Sequence, residues 1–409
     1  MSNNDILNLP KGWEMKKLGD ICQFVRGPFG GSLKKDSFKS EGYAVYEQQH
    51  AIYDQFDEIR YFIDEDKFNE MKRFELKQGD LIMSCSGTMG KVAIAPESIK
   101  KGIINQALLK LSPSKKIMVD FLKLWIQSES FQSGLKEYSG GAAIQNVASV
   151  AILKQIEIPL PPLAEQQRIV SILDASFAVI AQAKAHAEQN LNNVKELFEN
   201  YLQSVFENKG ADWETKMLKE IGIAQTGTTP KTADKENYGN FISFIKPSDI
   251  DIMGNGEIRY DNEGLSEQGL KTGRKMLKGS ILMVCIGATI GKVGFADRTV
   301  SCNQQINSLT VHEKFYPKFI YYALRTESFF QQVIMNAAQA TLPIINKGKW
   351  EALKISFPKS KTEQQTIVAK LDALSAATEK LTSVYRAKVA ALGDLKKAVL
   401  EKAFSGGLK

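Results

Sequence analysis

Pro159-Leu160-Pro161-Pro162-Leu163-Ala164-Glu165-Gln166-Gln167-Arg168-Ile169-Val170-Ser171-Ile172-Leu173-Asp174 decides how this chain is built. Proline fixes φ and removes a backbone donor, so the prolines end whatever precedes them. After Pro162 no proline or glycine occurs until Gly210. Within that interval Leu173, Ile180, Ala187, Val194 and Tyr201 are seven residues apart. Phe177, Lys184, Leu191, Phe198 and Val205 sit four further on, and of these ten only Lys184 is not apolar. This is the a/d pattern of a coiled-coil seam. A helix of about 40 residues spans about 60 Å at 1.5 Å per residue. Its polar face, with Gln182, Lys184, Glu188, Gln189 and Asn192, reads as solvated.

The stretch returns. Glu363-Gln364-Gln365-x-Ile367-Val368-x-x-Leu371-Asp372-Ala373 repeats Glu165 to Ala175, with Lys359-Ser360-Lys361 in place of the proline pair. Its heptad positions are Leu371, Thr378, Tyr385, Leu392 and Val399, with companions Ile367, Leu374, Leu381, Lys388 and Leu395. Outward from the helices the repetition continues. Gly12-Trp13-Glu14-x-Lys16-x-Leu18 matches Asp212-Trp213-Glu214-x-Lys216-x-Leu218, and Asn105-Gln106 matches Asn303-Gln304. Thr88-Met89-Gly90-Lys91-Val92 matches Thr289-Ile290-Gly291-Lys292-Val293, and Glu129-Ser130-Phe131 matches Glu327-Ser328-Phe329. The offset is roughly 200 residues, far beyond the 20–50 of a solenoid unit. One polypeptide therefore carries two copies of one device.

Each copy begins with a mixed segment. Leu81 to Ser86 is short and apolar and reads as a buried strand. Gly87-Thr88-Met89-Gly90 is a turn, and Lys91 to Ala95 a return strand stopped by Pro96. Ser280 to Cys285, the turn Gly287 to Gly291, and Lys292 to Ala296 repeat this. Helical stretches follow near 119–135 and 317–335. The expected fold is α+β: two globular, β-rich domains with helices, joined by two long antiparallel coiled-coil helices in an internal pseudo-two-fold repeat. The expected segments are 1–160 for the first globular domain, 161–210 for a central helical spacer, 211–358 for the second globular domain and 359–409 for a C-terminal spacer. Each helix buries one stripe and needs a partner. The tandem supplies one internally; pairing between two chains is the alternative, at the entropy cost of association.

Composition narrows the function. The 409 residues carry a net charge of +7, with 43% hydrophobic and 24% charged residues, as in ordinary globular proteins. The basic lean suits a polyanionic partner. No run of 18 apolar residues occurs, which argues against a membrane span, and Met1-Ser2-Asn3-Asn4-Asp5 does not open a secretory signal. A cytoplasmic location is expected. Cys22, Cys85, Cys285 and Cys302 form no C-x-x-C pair and read as buried free thiols. His50, His186 and His312 are too far apart in sequence to suggest a metal site.

Catalytic motifs fail one by one. A phosphate-binding loop ending at Gly90-Lys91 would need Gly at Cys85 and Ser or Thr at Val92, and the second copy fails alike at Ile286 and Val293. There is no G-x-S-x-G, no H-E-x-x-H, and no Asn/Asp-Pro-Pro-aromatic loop, since Pro161-Pro162 is flanked by leucines. What remains is recognition. The loops Arg26-Gly27-Pro28-Phe29-Gly30-Gly31-Ser32-Leu33-Lys34-Lys35 and Thr226-Gly227-Thr228-Thr229-Pro230-Lys231-Thr232 combine glycine with cations, which suits close approach to a phosphate backbone. A plain solvated loop would look the same. Candidate nucleic-acid contacts are Arg26, Lys34, Lys35, Gln48, Gln49, Lys91, Gln145, Asn146, Lys231, Lys292, Gln304 and Gln305. The amides among them could read adenine edges or be ordinary surface residues. The expected seam comprises Leu173, Phe177, Ile180, Leu191, Val194, Phe198, Leu371, Leu374, Leu381, Leu392 and Leu395.

At Pro159 to Asp174 the chain resembles the specificity subunit of type I restriction-modification systems. The Gly-Thr-x-Gly-Lys-Val segment at Gly87 to Val92 and the Asn-Gln pairs are similar to that family's target-recognition domains; the second copy has Ala288-Thr289 in place of Gly-Thr. The resemblance covers nearly the whole chain, in the order domain, helix, domain, helix. It implies a non-catalytic subunit in which each globular domain reads one half of a bipartite, asymmetric double-stranded DNA target. The helices would set the spacing between halves and dock two methyltransferase subunits, which carry S-adenosylmethionine. Restriction and translocation subunits, which use ATP and Mg, would join them. No cofactor is expected in this chain. Two alternatives stand beside it: a specificity subunit for a fused restriction-methylation polypeptide, and a structural coiled-coil protein that binds no DNA.

Overall fold

The computed structural model describes residues 9–137, 149–251, 256–338 and 342–408. The central helix runs Leu163–Glu207 and the C-terminal helix Lys361–Phe404. Contacts divide the chain into two compact units, Met1–Ala187 with Ala387–Lys409, and Glu188–Arg386. Each unit holds one globular domain, one half of the central helix and the opposite half of the C-terminal helix.

The first domain is α+β, with two four-stranded sheets. One runs Cys22–Arg26, Leu108–Pro113, Leu81–Ser84, Val92–Ile94, antiparallel throughout. The other runs Tyr61–Ile63, Tyr43–Tyr46, Gly102–Ile104, Glu75–Leu76, and its central pair is parallel. Leu81–Ser84 reads as an unbroken apolar run because both its faces are buried. Ile82 faces a core with Ala44, Tyr46 and Ile104 of the other sheet. Leu81 and Met83 face a second core with the helix Val119–Gln127, as the two-residue period of a strand requires. Glu14–Lys17 pairs with Glu157–Leu160 and ties the domain's entry to its exit.

The second domain repeats this plan. Gly222–Thr226, Ile306–Val311, Ile281–Val284 and Val293–Phe295 form the antiparallel sheet. Gly264–Leu265, Tyr238–Ile245, Val300–Cys302 and Lys275–Met276 form the mixed one, and Trp213–Met217 pairs with Lys354–Pro358. The expected strand-turn-strand and the expected helices, here Pro317–Leu324 and Glu327–Asn336, are present.

The repeated Glu-Gln-Gln motif is a lock between domain and helix. Gln166 is fully buried. Its amide nitrogen donates to the Pro161 carbonyl at 2.8 Å and the Lys116 carbonyl at 3.1 Å, and its oxygen accepts from the Met118 N–H at 2.8 Å. Gln364 does the same work, donating to the Pro358 carbonyl and accepting from the Tyr316 N–H, both at 2.8 Å. The motif survives the loss of the proline pair because the acceptor is a backbone carbonyl, at Pro161 in one copy and Pro358 in the other.

Helix pairing is antiparallel within each unit. In the first, Arg168 donates to the Leu408 carbonyl at 2.9 Å, and the Lys396 ammonium lies 4.7 Å from the Phe177 ring centre. Ile169, Val170 and Leu173 share one core with Leu400, Ala403 and Phe404. In the second, Phe198, Leu202 and Phe206 share a core with Val368 and Leu371. The contacts correspond closely. Phe404 meets Phe121 with ring centres 5.2 Å apart, and Phe206 meets Phe319 at 5.2 Å. Glu401 accepts from the Ser130 hydroxyl at 2.6 Å and from the Glu129 N–H, while Gln203 accepts from the Glu327 N–H at 3.1 Å. So the far end of the C-terminal helix finishes the first domain, as the far end of the central helix finishes the second.

The seam needs one correction. Leu173, Ile180, Val194, Phe198 and Leu371 are buried, and Phe177, Leu191, Leu374 and Leu392 half-buried. Leu381 and Leu395 are exposed, at 42% and 47%. On the C-terminal helix the companions of Thr378 and Tyr385 lie four residues on, not three, while Leu371 has both Leu374 and Ser375 half-buried beside it. Ser375, Thr382 and Val389 are half-buried there. The stripe there includes the small, polar Ser375 and Thr382, whereas the larger Leu381 and Leu395 face solvent. By length and composition the central helix also contains an 18-residue stretch, mean hydropathy 1.2, that could cross a membrane. Of that stretch 22% is buried within the protein, and a single helix of this kind does not by itself mark a span.

Candidate nucleic-acid interface

In each domain several of the expected residues meet at one end of the antiparallel sheet. In the first, the strand Cys22–Arg26 ends where Gly27 donates to the Leu108 carbonyl at 2.9 Å. A Cβ on Gly27 would stand 1.8 Å from the Asn105 oxygen, so only glycine permits this approach. Asn105 makes a local turn, its side-chain oxygen accepting from the Ala107 N–H at 3.0 Å. That turn passes the chain from one sheet to the other and leaves Gln106 exposed at its tip. Gln48 donates to the Ser86 carbonyl at 2.6 Å. Arg26 reaches the buried Cys85 thiol, whose pKa burial pushes up to about 12 against the opposing pull of that guanidinium. Lys91, exposed, follows the Gly87-Thr88-Met89-Gly90 turn, its N–H donating to the Ser84 hydroxyl at 3.0 Å.

Arg26, Gln48 and Lys91 are thus brought together. Lys34 and Lys35 are exposed on the loop that continues from Gly27. Gln49, next to Gln48 on the helix Gln48–Tyr53, lines a hollow with Tyr53 and Glu58. Gln145 and Asn146 lie outside the described residues.

The second domain builds the same end with other side chains. Gly227 donates to the Ile306 carbonyl at 2.9 Å and leaves no room for a Cβ, which would stand 2.2 Å from the Asn303 oxygen. Asn303 again closes the turn, accepting from the Gln305 N–H at 3.1 Å and donating to the Gln305 side chain at 3.0 Å. Gln304 is exposed and accepts from the Thr229 hydroxyl. Gln305 is therefore part of the frame, and Gln304 is the group presented. Lys292 turns inward, donating to the Asp251 carbonyl at 3.2 Å. Lys231 is exposed on the loop beyond Thr229.

Two residues escaped the sequence reading. Arg274 donates to the Thr226 carbonyl at 2.8 Å and brings a cation to this sheet end, where the first domain uses Arg26. Its signal was the basic run Lys271-Thr272-Gly273-Arg274-Lys275, whose counterpart in the first copy also carries cations, Lys72 and Arg73. Gln106 belongs to the repeated Asn-Gln pair, which only in the second copy is followed by a further glutamine. Chemically the first end offers guanidinium, ammonium and carboxamide groups and the second a guanidinium and a carboxamide, groups that suit phosphate oxygens and base edges. Among the described residues no cluster of three or more His, Cys, Asp or Glu could hold a metal.

The two sheet ends thus share one frame and present unlike side chains. The family model described as the type I restriction modification DNA specificity domain matches residues 10–193 and again 210–388. The chain belongs to this family and is a DNA-recognition subunit with two target-recognition domains. The type I restriction enzyme MjaVIII specificity subunit of Methanocaldococcus jannaschii is 25% identical, over 98% of this chain and 94% of that protein. The EcoR124I/EcoR124II specificity subunit of Escherichia coli is 29% identical, over 56% of this chain and 57% of that one. Among solved structures, the HsdS subunit from Thermoanaerobacter tengcongensis shares the fold with a TM-score of 0.62, 19% identity and 98% of each chain covered. A chain from a study of complex assembly and conformational transition of the type I R-M system gives a TM-score of 0.77 at 19% identity, covering 98% of this chain and all of that one.

Proposed function

We propose that each globular domain reads one half of a bipartite, asymmetric DNA target, through the sheet end that carries Arg26, Gln48, Lys91 and Gln106 in one and Gln304 and Arg274 in the other. The observation that carries this reading is that Gly27 and Gly227, with Asn105 and Asn303, build the same frame while the presented side chains differ. A common frame with unlike donors suits two different base sequences. The helices then set the number of unread base pairs between the halves and dock two methyltransferase subunits. Restriction and translocation subunits complete the assembly, working in the cytoplasm. The chain itself is non-catalytic. S-adenosylmethionine belongs to the methyltransferase subunits, and ATP and Mg to the restriction subunits.

The test is to co-express the chain with its methyltransferase partner and map methylated bases in the host genome. A two-part motif with a fixed gap is expected. Exchanging residues 211–358 for those of another family member should change one half only. A single continuous palindrome would refute the proposal.

A further inference from the structure

Phe29 is 92% exposed, the most exposed large apolar side chain among the described residues. Its backbone is held on both sides. Gly27 is seated against Asn105, Pro28 is buried, the Phe29 carbonyl accepts from the Ser32 N–H at 2.8 Å, and Leu33 is buried. A loop anchored at both ends thus holds an aromatic ring in water, flanked in sequence by Arg26, Lys34 and Lys35. The equivalent place two residues after Gly227 holds Thr229, whose hydroxyl is bonded to Gln304. The second domain therefore presents a polar group where the first presents an apolar one.

We infer that Phe29 is a specificity-determining residue of the first domain, a wedge that packs against a base step in its half-site, whereas the second domain reads the corresponding position by hydrogen bonding. The inference rests on the DNA-recognition reading above and adds the mode of contact. Its occupant is duplex DNA. The neighbouring cations neutralise phosphates, and the ring gains apolar contact by partly unstacking a step. Steps that unstack easily, pyrimidine followed by purine, are favoured. The gain offsets the cost of leaving a ring exposed on a pinned loop. It also divides the labour: affinity at one half-site then depends on deformability, and at the other on hydrogen-bond pattern.

The experiment is selection of duplexes from a random library by the full-length chain in its methyltransferase complex, followed by affinity measurement on the selected duplex. Wild type, Phe29→Ala, Phe29→Trp and Thr229→Ala are compared. Base–aromatic contacts removed by alanine correspond to about 5- to 150-fold in affinity. Phe29→Ala should weaken binding within that range and lose sequence preference at one step of one half-site, with an unchanged melting temperature. Phe29→Trp should retain both, and Thr229→Ala should alter the other half only. A 2-aminopurine placed at that step should brighten with wild type and stay quenched with Phe29→Ala. If Phe29→Ala selects the same sequences with the same affinity, or blurs both halves equally, the wedge is refuted while the recognition reading stands. If the wild-type complex selects no sequence, both fall together.

Discussion

Replacing Phe404 by alanine should loosen a domain whose own sequence ended some 240 residues earlier. Phe404 is 3% exposed and meets Phe121 edge-on, with ring centres 5.2 Å apart and planes at 68°. Around it lie Leu400, Ala403, Ile169, Val170 and Leu173, residues of both helices in one core. Burying a Phe and then truncating it to Ala costs about 3–5 kcal/mol once the residual cavity is included. The lost edge-to-face pair is part of that sum, at about 0.5–1.5 kcal/mol. For a unit of 150–250 residues each kcal/mol moves the melting temperature by about 2–4 °C. The first unit should therefore melt roughly 10 °C lower. Hydrogen exchange resolved by peptide is the assay, because it shows where protection is lost. Faster exchange is expected in Val119–Gln127 and in Leu81–Ser84, with the second domain unaffected. Phe206→Ala is the mirror experiment, loosening Pro317–Leu324 and leaving the first domain intact. If Phe404→Ala frays only the last turns of its own helix, and exchange in Val119–Gln127 stays as it was, the shared core is not what holds the first domain together.

Three further outcomes are expected. Gln166→Leu leaves the Met118 N–H and the carbonyls of Lys116 and Pro161 without their partner, which should cost about 2–3 kcal/mol in urea unfolding, since unmet buried groups cost about 1–3 kcal/mol each and some will find water. Leu371→Ala, at a fully buried seam position, should cost about 2–5 kcal/mol. Leu381→Lys and Leu395→Lys should stay within about 0.5 kcal/mol, and equal losses at all three would restore the three-residue companion pattern. Burial pushes the thiols of Cys22, Cys85, Cys285 and Cys302 from 9.0 up to about 12. These groups are neutral in the folded chain and ionise more readily when unfolded, so their contribution to stability is intact below pH 9 and is lost as pH rises from 9 towards 12. A native chain alkylated by iodoacetamide at pH 8 as fast as an unfolded one would contradict their burial.

How much of this was legible beforehand depends on the range of the interaction. The strand Leu81–Ser84, its turn and its return strand were readable because β-pairing across a tight turn is encoded within a dozen residues. The long helices were readable because a seven-residue spacing persists over some forty residues with no breaker. The frame of the candidate interface was half legible. Arg26, Gln48 and Lys91 could be named, but nothing in the sequence said that Arg274 would take the place of Arg26, because it reaches the sheet end from a different segment. Gln305 and Lys292 looked presentable and are held inward by Asn303 and the Asp251 carbonyl. A side chain's availability is set by its neighbours in space, which local pattern does not contain.

The sequence by itself therefore determined the duplication, the class of each element, and a chain without the motifs of nucleotide, metal or methyl-transfer chemistry. Tertiary structure alone decided which surfaces meet. Heptads state that a helix has a stripe to bury, yet hydrophobic burial is non-directional and proportional to area, so the pattern names no partner. That Phe404 closes against Phe121 and Phe206 against Phe319, that the half-buried stripe of the C-terminal helix runs through Ser375 and Thr382 rather than Leu381, and that Phe29 is left in water, were settled by shape and by hydrogen bonds such as those of Gln166 and Gln364.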